Sequence, residues 1–219
     1  MKKLATLLVL LLGVLGLAFG GCSDGGTFSE KSYSAEGNEI EKVTVQVEER
    51  ELEISASEDS RVHIDYFDGE KEYLTVVSGN GELTVRLENN KNWTDYFGVK
   101  PSAQYRKIKI GIPDNMLAAI TVTTTNGDII LSDLAFKEQV SLGANGGNIV
   151  CERVSVGKSI DLTAKNGNIS GAVIGGWDDF SISCKIKKGK CNLPELKEGG
   201  GKAFTAVCNN GDINIAFVK

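Results

Sequence analysis

From about residue 119 to the C-terminus, apolar and polar side chains alternate in short runs, and the same turn separates them. The phrase TTTNGDIIL (123–131) returns as Gly146-Gly147-Asn148-Ile149, Asn166-Gly167-Asn168-Ile169 and Asn210-Gly211-Asp212-Ile213. Period-two alternation marks strands with one buried and one wet face. With the second residue of each turn as origin, Gly127, Gly147 and Gly167 lie 20 apart. A degraded copy, Lys188-Gly189-Lys190-Cys191, follows after 22 residues, and Gly211 after another 22.

Aligned on these origins, whole columns agree. Two residues on stand Ile129, Ile149, Ile169, Cys191 and Ile213; five residues back stand Val122, Leu142, Leu162, Cys184 and Ala206. The interleaved columns hold Asp128, Asn148, Asn168, Lys190 and Asp212, or Thr125, Asn145, Lys165, Lys187 and Asn209. A meander of hairpins closed by Asn-Gly turns satisfies the alternation, since both turn positions would tolerate φ > 0. A solenoid, in which each unit is one coil and like positions stack about 4.8 Å apart, also explains why the columns agree. It explains the repeated Asn as well, because stacked amides hydrogen-bond in ladders. The expected fold is therefore all-β: antiparallel N-terminal strands (39–112) running into a single-stranded, right-handed β-helix-like solenoid (113–219) with about 20–22 residues per rung. The first half supports strands at 42–48, 51–56, 61–67, 73–77, 82–88 and 105–112, joined by short links such as Glu49-Arg50 and Gly79-Asn80-Gly81.

Composition sharpens this. The chain holds 26 Gly but 3 Pro, and 41% of its residues are apolar. That suits strands and glycine turns and opposes disorder. The first residues differ. Lys2 and Lys3 precede an apolar stretch, Leu4 to Leu17, too short for a transmembrane helix. Gly20-Gly21-Cys22 then has the layout of an export signal (1–21), with Cys22 placed for lipidation as in a bacterial lipobox, although Phe19 stands where that pattern prefers Leu. Plain signal cleavage or a short anchor are the alternatives. Residues 22–38, polar and rich in Gly and Ser, read as a flexible tether. Loss of the leader with its two lysines takes the formal net charge from −5 to −7, which gives no general attraction to nucleic acid or anionic lipid.

KIKIGIPDN, then ITVTTTNGDIILSDL, then serial NGNI and NGDINI behind a lipoprotein-type signal resemble the bacterial envelope family labelled "putative adhesin" over roughly residues 40–219. The resemblance implies a β-solenoid-like domain of unknown function, with no catalytic residues to transfer. Some relatives are linked to envelope-stress systems.

Enzyme chemistry finds little support in the residues. The one histidine, His63, lies in a strand, RVHIDYF, without a nucleophile elbow, and no CxxC pair suggests zinc. A glycosidase would need two carboxylates about 5–9.5 Å apart. Asp128 and Asp212, four rungs apart in chain order, would stand about 19 Å apart. Asp178-Asp179 beside Trp177 is the best remaining acidic spot. No catalytic, cofactor or metal residues are expected. Cys151, Cys184, Cys191 and Cys208 fall in apolar columns without same-column neighbours. They read as shielded free thiols, with a diagonal Cys191–Cys208 bridge as the alternative. Surplus aromatics cluster in 89–105: Trp93, Tyr96, Phe97 and Tyr105 are candidate partner-binding residues, or else plugs for the end of the core. The expected role is a non-catalytic, lipid-anchored envelope protein on the extracytoplasmic side, presenting a solenoid surface to a protein or glycan. An envelope-stress component and a polysaccharide-acting enzyme remain as alternatives.

Overall fold

The alternating runs form strands divided between two sheets, and each Asn-Gly corner carries the chain from one sheet to the other. A computed structural model describes residues 27–93, 100–114 and 117–219; Cys22, Tyr96, Phe97 and the leader lie outside the described residues. In chain order the strands are β1 (Phe28–Glu36), β2 (Lys42–Val47), β3 (Glu51–Ala56), β4 (Arg61–Gly69), β5 (Glu72–Gly79), β6 (Glu82–Asn89), β7 (Lys107–Ile112), β8 (Ala119–Asn126) and β9 (Ile129–Leu131). There follow β10 (Leu134–Phe136), β11 (Gln139–Gly146), β12 (Ile149–Val156), β13 (Ser159–Asn166), β14 (Ile169–Ile174), β15 (Phe180–Lys188), β16 (Leu196–Lys197), β17 (Lys202–Asn210) and β18 (Ile213–Val218). One sheet runs β1-β4-β7-β3-β9-β12-β14-β18, with β10 on β12; the other runs β16-β15-β17-β13-β11-β8-β2-β6-β5.

The repeat columns become parallel ladders in register. Ile129, Ile149, Ile169 and Ile213 stand side by side in one sheet; Val122, Leu142, Leu162 and Ala206 do so in the other. All eight are buried between the sheets. Each fully buried Ile or Leu contributes roughly 1.5–3 kcal/mol of transfer free energy, so the stacked columns are the main cohesive element.

The coils do not stack in chain order. Spatially they run β6/β7, β2/β3, β8/β9, β11/β12, β13/β14, β17/β18 and then β15. The last repeat, with Gly211, is inserted between the coil of Gly167 and that of Gly189. Asp128 and Asp212 are therefore three coils apart, about 14 Å, and not four. Columns state which positions stack; they carry no information on which units adjoin.

Two readings of the N-terminal half change. Antiparallel ladders do join β1 to β4, β4 to β7 and β5 to β6. But β2 and β3 do not pair with each other. They lie in opposite sheets and pair parallel with β8 and β9, so 42–56 is already a coil of the solenoid, and no break falls at 112/113. Glu49, at φ 51°, turns that corner. The tether is also shorter than 22–38 suggests. β1 occupies nine of those residues in a full ladder with β4, and its Tyr33 and Ala35 pack on the core. Ser and Glu between these apolar positions gave the segment a linker's composition, but its alternation is that of an edge strand.

The corners explain the glycines differently from a hairpin turn. Gly127, Gly147, Gly167 and Gly211 have φ of 144–150°, whereas their preceding Asn or Gly residues are not left-handed. A Cβ on Gly147 would meet the Gly127 carbonyl oxygen at 2.1 Å, on Gly167 that of Gly147 at 1.9 Å, and on Gly211 that of Gly167 at 2.1 Å. Each coil's corner backbone occupies the space a side chain would need on the next. A two-residue Asn-Gly hairpin of the primed type occurs once among the described residues, at Asn80 (φ 52°) and Gly81 (φ 78°) between β5 and β6.

Candidate partner-binding surface

The chain between β6 and β7 is the long connection, residues 90–106, of which 94–99 lie outside the described residues; its described flanks lie toward the end of the stack that β5, β4 and β1 close. Charge fixes it to the neighbouring coil. Arg50, 2% exposed at the β2/β3 corner, donates to the Glu72 carboxylate at 2.9 Å, and Lys91 pairs with the same carboxylate. Burial alone would raise the Glu72 carboxyl; the hydrogen bonds from Lys91 and Arg50 outweigh it and hold it below the usual carboxylate range. Further along, Lys100 pairs with Glu49 at 2.8 Å, and Arg106 donates to the Pro101 carbonyl at 2.9 Å.

Within this moored loop the sequence-predicted aromatics part company. Trp93 is 75% exposed. Tyr105 is stacked on Phe28 of β1, centroids 4.5 Å apart, with Phe67 of β4 edge-on at 5.3 Å. It fastens the outer strands to the loop. Trp93 alone of the described pair presents a large ring to solvent.

A second aromatic group lies at the far end of the stack. Trp177, 43% exposed, meets Phe217 edge-on at 5.4 Å, and Phe217 packs against Phe180 and Phe204. The Lys197 ammonium sits 5.5 Å from the Trp177 ring centroid. Beside it a shallow cavity of about 330 Å³ runs between Ser181, Ser183, Leu196, Lys197 and Thr205. Column reasoning missed this surface, because β16 and the Trp177 turn stand outside the repeat. Asp179 is occupied: its carboxylate accepts the Gly176 N–H at 2.6 Å and shapes the turn before β15.

The outward corner column is a hydrogen-bond ladder. Asp128 accepts the Asn148 N–H at 2.7 Å, Asn148 that of Asn168 at 2.9 Å, Asn168 that of Asp212 at 2.8 Å, and Asp212 that of Lys190 at 2.7 Å. The two acids are separated by amides and flanked by a lysine, so this column brings no carboxylates together on adjacent coils. Elsewhere, Glu51 and Glu53 both hold Lys107, at 3.0 and 2.5 Å. His63 faces Asp59 at 2.8 Å on the exposed face of β4. Among the described residues no three His, Cys, Asp or Glu side chains are grouped to hold a metal. Cys151, Cys184 and Cys208 are buried and Cys191 half-buried.

The family pattern described as Toastrack DUF4097 matches residues 40–219. No curated protein matches the chain. Among solved structures, a "putative cell adhesion protein" from Clostridium sporogenes is similar with a TM-score of 0.61 at 14% identity, over 86% of this chain and 99% of that one. A "putative adhesin" from Bacteroides fragilis (TM-score 0.36, 12% identity, 86% and 97% covered) and a "putative lipid binding protein" from Parabacteroides distasonis (0.31, 11%, 87% and 97%) are more distant. The first likeness shows the shared fold.

Proposed function

The chain belongs to the Toastrack family, and we propose that it is a non-catalytic binding domain of the cell envelope, held there by a lipid on Cys22, with the β6/β7 loop as its contact surface. The observation that carries this is Trp93: a ring 75% exposed on a loop anchored by ion pairs to a rigid coil. A fixed, exposed Trp offers contact area at low entropic cost. Tyr96 and Phe97 belong to the same proposed surface, with Tyr105 as its packed base. The adhesion named for the Clostridium sporogenes structure fits this reading, as does the ladder's separation of acids, which leaves the corner column without a glycosidase pair.

The test uses the chain from Ser23 to Lys219, which keeps β1. Binding to isolated envelope fractions is measured for wild type and Trp93→Ala. The proposal expects capture to fall at least tenfold with an unchanged melting temperature. A melt lowered by several degrees with capture intact would make the ring a plug. Intact-mass analysis of membrane-extracted full chain decides the anchor: an unmodified Cys22 removes it.

A further inference from the structure

We propose that Cys184 and Cys191 are joined by a disulfide in the mature protein, tying together the two walls of the outermost coil. Their sulfurs lie 3.0 Å apart. Cys184, on β15, is paired with Ala206 in one sheet; Cys191 bridges to Ile213 in the other. They therefore meet across the core, at the two column positions that hold Leu142 and Ile149, or Leu162 and Ile169, in the inner coils. Same-column and diagonal partners are the wrong places to look: the pair lies within one coil, from wall to wall.

The other thiols are engaged differently. Cys208 donates to the Gly167 carbonyl at 3.3 Å, toward the inner coil, so Cys184 is the partner that Cys191 meets. Cys151 is sealed in the core, and burial pushes its thiol up to about 12.

The outermost coil is where a covalent tie has most to hold. Its second wall has no strand of its own, only the Cys191–Ile213 bridge and the Asn192 amide, bonded to the Ile215 carbonyl and N–H at 2.8 and 3.0 Å. The outer edge of β15 is covered by the two residues of β16. Half-buried Cys191 is reachable by an oxidant. Its thiolate attacks the disulfide of a dithiol oxidant or of oxidised glutathione and displaces one thiol. The Cys184 thiolate then attacks Cys191 Sγ and releases the second. Two electrons and two protons leave with the reduced oxidant. In the cell this step rests on the export reading above; the geometry does not.

The test separates the two. Full-length chain is expressed with its leader, thiols are alkylated before lysis, and the protein is digested with trypsin without reduction. Lys185, Lys187, Lys188 and Lys190 lie between the cysteines, so a disulfide links fragment 166–185 to fragment 191–197. That linked pair, vanishing on reduction, is the expected result, together with a melting temperature that reductant lowers by about 5–10 °C. Reductant should leave Cys184→Ser unmoved and Cys208→Ser as sensitive as wild type. If the leader fragment persists, export has failed, and the pair is read after treating the same full-length protein with oxidised glutathione. Separate alkylated or glutathionylated fragments after that treatment, with a reductant-insensitive melt, overturn the proposal.

Discussion

Replacing Gly147 by Ala tests the stacked-corner explanation directly. The new Cβ would lie 2.1 Å from the Gly127 carbonyl oxygen, and ordinary contact begins near 3.4 Å, so the two coils must part by about 1.3 Å at the corner. The backbone there sits at φ 148°, a region that costs a residue with a Cβ about 1–3 kcal/mol. Parting the coils weakens the bonds from Ile129 N–H to Asn148 O (2.9 Å) and from Gly127 N–H to Gly146 O (2.7 Å), at about 0.5–1.5 kcal/mol each. The stiffer unfolded chain returns about 0.4–1 kcal/mol. The net loss is about 3 kcal/mol, or a melting temperature lower by roughly 6–12 °C for a domain of this size. Gly143→Ala, on β11 just before that corner, is the control. Its Cβ would meet nothing nearer than Thr123 Cγ2 at 3.5 Å, and in a strand Ala stabilises by about 0.5 kcal/mol. Thermal and urea melts followed by far-ultraviolet circular dichroism give both numbers. Equal midpoints for the two variants would refute the corner argument, and a Gly147→Ala protein within about 1 kcal/mol of wild type would do the same.

Glu72→Gln should cost about 3–5 kcal/mol in urea melts, because it leaves the buried Arg50 cation without its counter-charge, and Arg50→Met with Glu72→Leu should recover most of that. Since the folded Glu72 carboxyl titrates below its unfolded value, its stabilisation is full above about pH 4.5 and fades as pH falls through the folded pKa; the wild-type advantage over Glu72→Gln should shrink in acid melts. Ile169→Asp, at a position with no exposure, should cost several kcal/mol. Asn148→Asp, which the alternation alone would rate nearly neutral, should cost about 1 kcal/mol at low salt because its carboxylate would face Asp128, and 1 M NaCl should restore part of it. Chain ended after Gly201 lacks β17 and β18; limited proteolysis should then find both β13/β14 and β15 cut, where loss of a merely terminal coil would leave them protected.

The columns made the buried set legible: Ile129, Ile149, Ile169 and Leu142 are where period-two alternation puts them. The amide ladder from Asp128 to Lys190 follows from the same alignment. What composition and spacing concealed was neighbourhood. Glu49-Arg50 is as short as a hairpin link, yet it crosses between sheets, because a corner and a hairpin need similar residues and differ only in what the flanking strands pair with. Phe28, Tyr33 and Ala35 were hidden in a Ser-rich stretch. At the proposed binding loop, sequence marks the aromatic surplus but not the division of labour. Tyr105 packs because Phe28 and Phe67, far away along the chain, arrive beneath it, while Trp93 stays 75% exposed. The Cys184–Cys191 contact escaped because it lies across a coil and not along a column.

Interleaving gives this stack a different mechanics from a solenoid laid down in chain order. In such a solenoid each coil touches only its sequence neighbours, and the terminal units fray first. Here the first coil, β2/β3, is enclosed by β6/β7 and β8/β9, and the last, β17/β18, by β13/β14 and β15. Neither of these coils is an end of the stack, so peeling one off requires breaking ladders on both its sides. The outer positions fall instead to other strands: β5 lies beyond β6, β4 and β1 lie beyond β7, and β16 lies beyond β15. Enclosing the first and last coils demands long-range contacts, which slow folding, and it demands backbone that can step past a coil and return. Gly199 and Gly200, both at positive φ, supply that return before β17. The ends of the stack are thereby fixed by chain that belongs to the interior. The described flanks of the β6/β7 loop are tied to that interior, through Lys91–Glu72–Arg50 and Lys100–Glu49.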